Sequence, residues 1–140
     1  MSQKKILVVD DDAVILKTLC TKLTSKGYQA VPVSDGSEAV TAVRRSKPDL
    51  IVLDVNLPVN VGMDWNAFSI IEWLKHVPEA KGIPIIIISG GDPAKIVDKA
   101  SAAGAVGFFQ KPINHEEMDK VIRKTLNLGP ALPEIAALKV

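Results

Sequence analysis

The sequence has a single cysteine, Cys20, which excludes an internal disulfide and a metal site built from cysteines. Neither sign of charge dominates: 17 lysines and arginines face 16 aspartates and glutamates, for a net charge of +1. No long-range field therefore draws the chain to nucleic acid or to an anionic membrane. The longest apolar runs are about strand length, far short of the ~20 residues of a membrane span. Met-Ser-Gln-Lys-Lys at the N-terminus leads into only four apolar residues before three aspartates, which is not a secretory signal. What is present is ordinary: 140 residues, 47% hydrophobic and 24% charged, the size of one domain and the composition of a soluble globular protein. The expectation is a cytoplasmic, single-domain protein with neither membrane nor nucleic acid as partner.

The chain alternates between two periods. Ile6-Leu7-Val8-Val9, Leu50-Ile51-Val52-Leu53 and Ile85-Ile86-Ile87-Ile88 are short continuous apolar runs, the mark of strands buried on both faces. Tyr28 to Val33 is a weaker strand that Pro32 places at an edge, and Gly107-Phe108-Phe109 is a fifth. Ile15, Leu19 and Leu23 recur at helical spacing, with Gly27 as a stop. Further helices are predicted over Ser37 to Arg45, over Phe68 to Lys75 with Ile70, Ile71 and Leu74 inward, and from Pro93 to about Ala103. The last opens on Asn114, with Glu117 completing a capping box, and runs to about Leu128 before Gly129-Pro130. Five such β-α units imply a parallel sheet with helices on both faces. Residues 1–128 form the expected domain, and 129–140 a mildly apolar tail or the start of a linker.

In an open parallel sheet, ligands bind beyond the carboxyl ends of the strands. Asp10, Asp11 and Asp12 follow the first apolar run, Asp54 the third, Ser89 the fourth, and Lys111 lies just past the fifth. Each has a plain alternative: Asp12 suits a helix N-cap, a serine suits a turn, and a lysine before proline suits the surface. Their convergence on one edge argues otherwise. Carboxylates held together repel unless a cation joins them, and hard oxygen ligands without His or Cys favour Mg²⁺. Such an ion would orient a phosphoryl group toward a carboxylate nucleophile, with a lysine and a hydroxyl holding its other oxygens. Asp54 is the best nucleophile, because it ends the central strand apart from the acidic pair.

Four stretches carry a specific resemblance: Ile6 to Asp12, Leu50 to Pro58, Ile87-Ile88-Ser89-Gly90 and Phe108-Phe109-Gln110-Lys111-Pro112. In this order, over roughly residues 4 to 128, the chain resembles the response regulator receiver domains of two-component signalling. The resemblance implies an α/β flavodoxin-like (βα)5 fold with strand order 2-1-3-4-5. It also implies that Asp54 is the phosphoacceptor, and that Asp10, Asp11, Asp54 and the backbone carbonyl of Asn56 bind Mg²⁺. Ser89 and Lys111 match the residues that hold the phosphoryl group, Lys111 preceding a proline often in a cis peptide, and Phe108 matches the aromatic that rotates on activation. Asn56 and Gly91 occupy the pair of positions that tune loss of the phosphoryl group.

Two departures stand out. The loop after Pro58 is about five residues longer than is usual in the family, and its Asp64 and Trp65 either border the site or belong to solvent and core. Phe108 has no phenolic hydroxyl, so packing alone would drive any rotation. On the first helix, Ile15 and Leu16 lie beside the acidic pair, where the family docks a histidine kinase or a histidine phosphotransfer protein; the alternative is that Ile15 extends the core stripe. Trp73 suits packing and His76 the surface. No helix-turn-helix follows, so output is expected through a protein partner or homodimer on the fourth helix, fifth strand and fifth helix. Two other readings are weaker. An aspartate-nucleophile phosphohydrolase would carry Asp-x-Asp-x-Thr, whereas Asp10-Asp11-Asp12-Ala13-Val14 lacks the threonine; an unphosphorylated module would have lost site residues that are all present here. The expected protein is a switch that catalyses only its own phosphorylation and dephosphorylation.

Overall fold

The computed structural model describes residues 3–55, 67–90 and 93–129. Strands β1 (Lys5–Val9), β2 (Gln29–Val33), β3 (Leu50–Asp54), β4 (Ile85–Ser89) and β5 (Gly107–Gln110) form one sheet in the order β2-β1-β3-β4-β5, all pairs parallel. Helices α1 (Ala13–Ser25), α2 (Gly36–Ser46), α3 (Ala67–Leu74), α4 (Pro93–Ala102) and α5 (His115–Leu126) alternate with them. This is the expected doubly wound architecture, and Pro32 does lie on the edge strand, where its missing N–H breaks no ladder.

The apolar runs are continuous because both faces of the sheet are covered. Ile6, Val8, Leu50, Val52, Ile86 and Ile88 point to one side, where Leu19 and Leu23 of α1 and Met118 and Ile122 of α5 meet them. Leu7, Val9, Ile51, Leu53 and Ile87 point to the other, against Ala39 and Val43 of α2, Ile71 and Leu74 of α3 and Ala100 of α4. Phe108 packs on the second of these cores and Phe109 on the first, as the two-residue period of a strand requires. Trp73 packs against the core with the Arg44 guanidinium 5.2 Å from its ring centroid, and His76 is exposed.

Helix ends follow local chemistry. Asp12 caps α1, accepting from the backbone N–H of Val14 at 2.9 Å and of Ile15 at 3.2 Å. Asn114 accepts from Glu117 N–H at 3.1 Å, but the Glu117 carboxylate pairs with Lys120 instead of closing the expected capping box. Helix α5 stops two residues earlier than the Gly129-Pro130 signal suggests, because Asn127 takes the left-handed conformation at φ 58° and caps it. No described helix is long and apolar enough to cross a membrane.

Candidate functional site

Strand register assembles the site. Val9 lies beside Leu53 and Asp54 beside Ile88, so Asp10, Asp54 and Ser89 reach the same carboxyl edge on three adjacent strands. This is also where the strand order reverses between β1 and β3, the crevice in which open α/β sheets bind ligands. Lys111 follows β5, and its N–H donates to Ser89 C=O at 2.8 Å, extending the β4–β5 ladder past the strand ends. The Lys111–Pro112 peptide is cis. The lysine stem passes Gly90, where an added Cβ would sit 3.8 Å from Cδ.

Asp10, Asp54 and Ser89 are buried, while Asp11 is exposed. One carboxylate oxygen from each of Asp10, Asp11 and Asp54 lies within 4.8 Å of the others. At that range each pair of charges repels by about 3 kcal/mol at an effective dielectric near 20. Lys111 supplies a countercharge: its Nζ is 3.0 Å from Asp10 Oδ2 and 3.2 Å from Asp54 Oδ2. Burial works against the lysine's charge, but the contacts with Asp10 and Asp54 outweigh it and hold the ammonium above its ordinary pKa. Asp10 Oδ1 accepts from Asp12 N–H at 2.9 Å, whereas the buried Oδ2 receives no well-directed hydrogen bond.

Among the described residues, the three carboxylates outnumber the Lys111 ammonium, and the buried Asp10 Oδ2 is under-satisfied. The donors of the site are hard oxygens without His or Cys. That set fits a small divalent cation such as Mg²⁺, which takes one or two carboxylates and keeps waters for the rest of its shell. The residues present therefore suit Mg²⁺.

The structure thus brings together Asp10, Asp11, Asp54, Ser89 and Lys111. Ile15 and Leu16 are partly buried near the start of α1 and pack on the core through part of their surface, and Phe108 is half-buried. Asn56, Gly91, the loop with Asp64 and Trp65, and the tail from residue 130 lie outside the described residues, as does the Ile70 side chain. Sequence reasoning missed a buried cluster away from this edge. Tyr28 hydroxyl donates to Asp119 Oδ1 at 2.6 Å, Arg123 Nε reaches Asp119 Oδ2 at 3.2 Å, and the Arg123 guanidinium lies 5.8 Å from the Tyr28 ring centroid. Burial, then the Asp119 contact, pushes the Tyr28 hydroxyl pKa far up. Asp119 and Arg123 stand four apart on one helix, a signal visible in sequence; their partner on β2's approach is not.

An open parallel sheet of order β2-β1-β3-β4-β5 with an acidic, lysine-bridged crevice at its switch point defines a doubly wound α/β domain. The sequence signature of the response regulator receiver domain matches residues 6–123, and the chain belongs to that family of two-component signalling domains. It is 36% identical over 138 residues to the response regulator protein TodT of Pseudomonas putida, covering 96% of this chain and 58% of that protein. Identity to the DNA-binding response regulator MtrA of Mycobacterium tuberculosis is 32% over 124 residues, covering 89% of this chain and 51% of MtrA. The chain spans about half the length of these curated relatives. Among solved structures, the chemotaxis response regulator CheY4 of Vibrio cholerae superposes with a TM-score of 0.77 at 28% identity, over 89% of this chain and 99% of that one. The receiver domain of the sensor histidine kinase PA1611 of Pseudomonas aeruginosa, solved with magnesium in its active-site cleft, shares the fold at a TM-score of 0.79 and 24% identity, over 90% of this chain and 99% of that one.

Proposed function

We propose that this receiver domain is a phosphorylation-controlled switch whose phosphoacceptor is Asp54. The observation that carries the reading is the buried Asp54 carboxylate, set with Asp10 and Asp11 within 4.8 Å and bridged to Asp10 by Lys111. Asp10, Asp11, Asp54 and the Asn56 carbonyl would hold Mg²⁺, which when bound neutralises the incoming phosphoryl group and orients it. The donor is a phosphohistidine on a histidine kinase or phosphotransfer protein docked on Ile15 and Leu16. A carboxylate oxygen of Asp54 bonds to phosphorus as the phosphorus–nitrogen bond breaks, and the imidazole leaves with the electron pair. Lys111 then releases part of its pairing with Asp54 to bind a phosphoryl oxygen, and the Ser89 hydroxyl turns to another.

Capture of Ser89 and Lys111 pulls on the ends of β4 and β5, and Phe108 lies on β5 against the core that includes Ala100 of α4. Output passes through α4, β5 and α5 to a protein partner or a second copy, a face on which Val97 and Val106 are exposed. Asn56 and Gly91 tune how long the acyl phosphate lasts, and the domain works in the cytoplasm. The test is intact mass after incubation with Mg²⁺ and acetyl phosphate. One added phosphoryl group, lost with chelator and lost in Asp54→Asn, is expected; no gain in the parent chain refutes the reading.

A further inference from the structure

The C-terminal end of α2 carries a basic face. Arg44, Arg45 and Lys47 are all exposed, and among the described residues none of them forms an ion pair. The acids of the surrounding elements do not answer them. Asp49 accepts from the Lys5 N–H at 2.8 Å, Glu72 pairs with Lys75 at 3.1 Å, and the exposed Glu38 and Glu79 reach none of the three. Cations at a helix C-terminus favour the helix dipole, but the dipole asks for no particular side-chain placement. Arg44 is nevertheless held in place: its guanidinium lies 5.2 Å from the Trp73 ring centroid. A guanidinium stacked on an indole has given up rotamer freedom while keeping its N–H edge, and no side-chain hydrogen bond to a described residue occupies that edge. Such a fixed planar fork binds carboxylates through two parallel hydrogen bonds.

Two grooves meet on this face. One, of about 490 Å³, lies between Val31 of β2 and the α2 residues Thr41, Ala42 and Arg45. The other, of about 380 Å³, is lined by Val40, Thr41, Arg44 and Arg45. Thr41 and Arg45, one helical turn apart, form the ridge between them. Pro32 on the same edge strand supplies no N–H, so a partner docks here through side chains and not as an added strand. We propose that this face of α2 is a docking surface for an acidic segment of a partner protein. Its carboxylates pair with Arg44 and Arg45, and an apolar side chain of the same segment lies against Val31 and Ala42. Helix α2 packs on the opposite side of the sheet from α1 and α5, and the proposal does not depend on which residue is the phosphoacceptor.

The test titrates a fluorescein-labelled peptide of Glu-Asp-Leu repeats against the full chain, read by anisotropy. Saturable binding is expected, weakening as salt rises from about 0.05 M to about 0.5 M. Arg44→Gln should weaken it about tenfold, and adding Arg45→Gln about tenfold more. Arg44→Lys keeps the charge and loses the fork, so it should weaken binding nearly as much as Arg44→Gln. Replacing each leucine of the peptide by serine should also weaken it. Lys120→Gln with Lys124→Gln, on α5, should leave the affinity unchanged. In ¹⁵N spectra the peptide should shift the amides of residues 40–47 and the Trp73 indole N–H, and urea denaturation checks that each variant folds. Absence of peptide binding, full affinity in Arg44→Lys, or an equal loss in the α5 double variant overturns the proposal. So does binding of an RNA oligonucleotide or of phosphatidylglycerol vesicles through the same arginines when the peptide does not bind.

Discussion

Lys111→Met should destabilise the fold, and the size of the loss follows from the site's charges. The substitution keeps an apolar stem of similar length and removes the ammonium that lies 3.0 Å from Asp10 Oδ2 and 3.2 Å from Asp54 Oδ2. At an effective dielectric near 20 each contact has a gross attraction of about 5 kcal/mol. Relief of the lysine's own desolvation offsets much of that. What persists is the mutual repulsion of carboxylates in a buried site, and losing one partner of such a group costs about 3 kcal/mol. Urea denaturation in the presence of chelator should show the midpoint falling by about 1.5 M at unchanged slope, and Tm falling by about 10 °C. Mg²⁺ should narrow the gap, since a cation that binds the folded state replaces the missing charge and stabilises the variant more than the parent. The parent's advantage is full at neutral pH: the native pKa of Lys111 lies above its ordinary value of 10.5, so the contribution fades only as pH rises through that raised value. A Lys111→Met protein within about 0.5 kcal/mol of the parent in chelator would refute the electrostatic account of the site.

Three further outcomes are expected. Burial, then the charge of Lys22, lowers the His115 pKa, with Lys26 acting the same way and Glu116 opposing; stability from its neutral ring is therefore complete above the ordinary value of 6.5 and lost as pH falls below it, and His115→Gln should flatten unfolding curves between about pH 7 and about pH 5. Tyr28→Phe leaves the buried Asp119 Oδ1 without its 2.6 Å donor and should cost about 1–3 kcal/mol by urea denaturation, a loss that a double-mutant cycle with Asp119→Asn will show to be shared. A Cβ on Gly107 would meet Val121 Cγ1 at 3.2 Å, so Gly107→Val should cost about 1–3 kcal/mol and broaden or shift the amide signals of β5 and α5.

The β-α alternation was readable because two buried sheet faces turn strands into continuous apolar runs, and the switch-point rule then pointed to the edge where the structure gathers Asp10, Asp54, Ser89 and Lys111. Asp12, the third of the acidic run, is an N-cap, the plainer of its two readings. Long-range pairing was less legible. Lysine before proline reads as a surface residue, and only the parallel placement of β5 beside β4 brings Lys111 to an aspartate 57 positions earlier. Tyr28 and Asp119 are 91 positions apart, and no local period encodes that a residue leading into an edge strand will meet α5. The end of α5 was misjudged for the opposite reason: a strong Gly-Pro signal lay nearby, but Asn127 could already take the left-handed conformation.

The central claim is that the acyl phosphate forms on Asp54. Borohydride reduces an acyl phosphate on aspartate to homoserine, so a chain treated with acetyl phosphate and Mg²⁺, reduced, digested and sequenced by mass spectrometry reports the modified residue directly. Homoserine at position 54 alone is predicted. Homoserine at position 10, 11 or 12 instead, or at none of the four, would contradict the account.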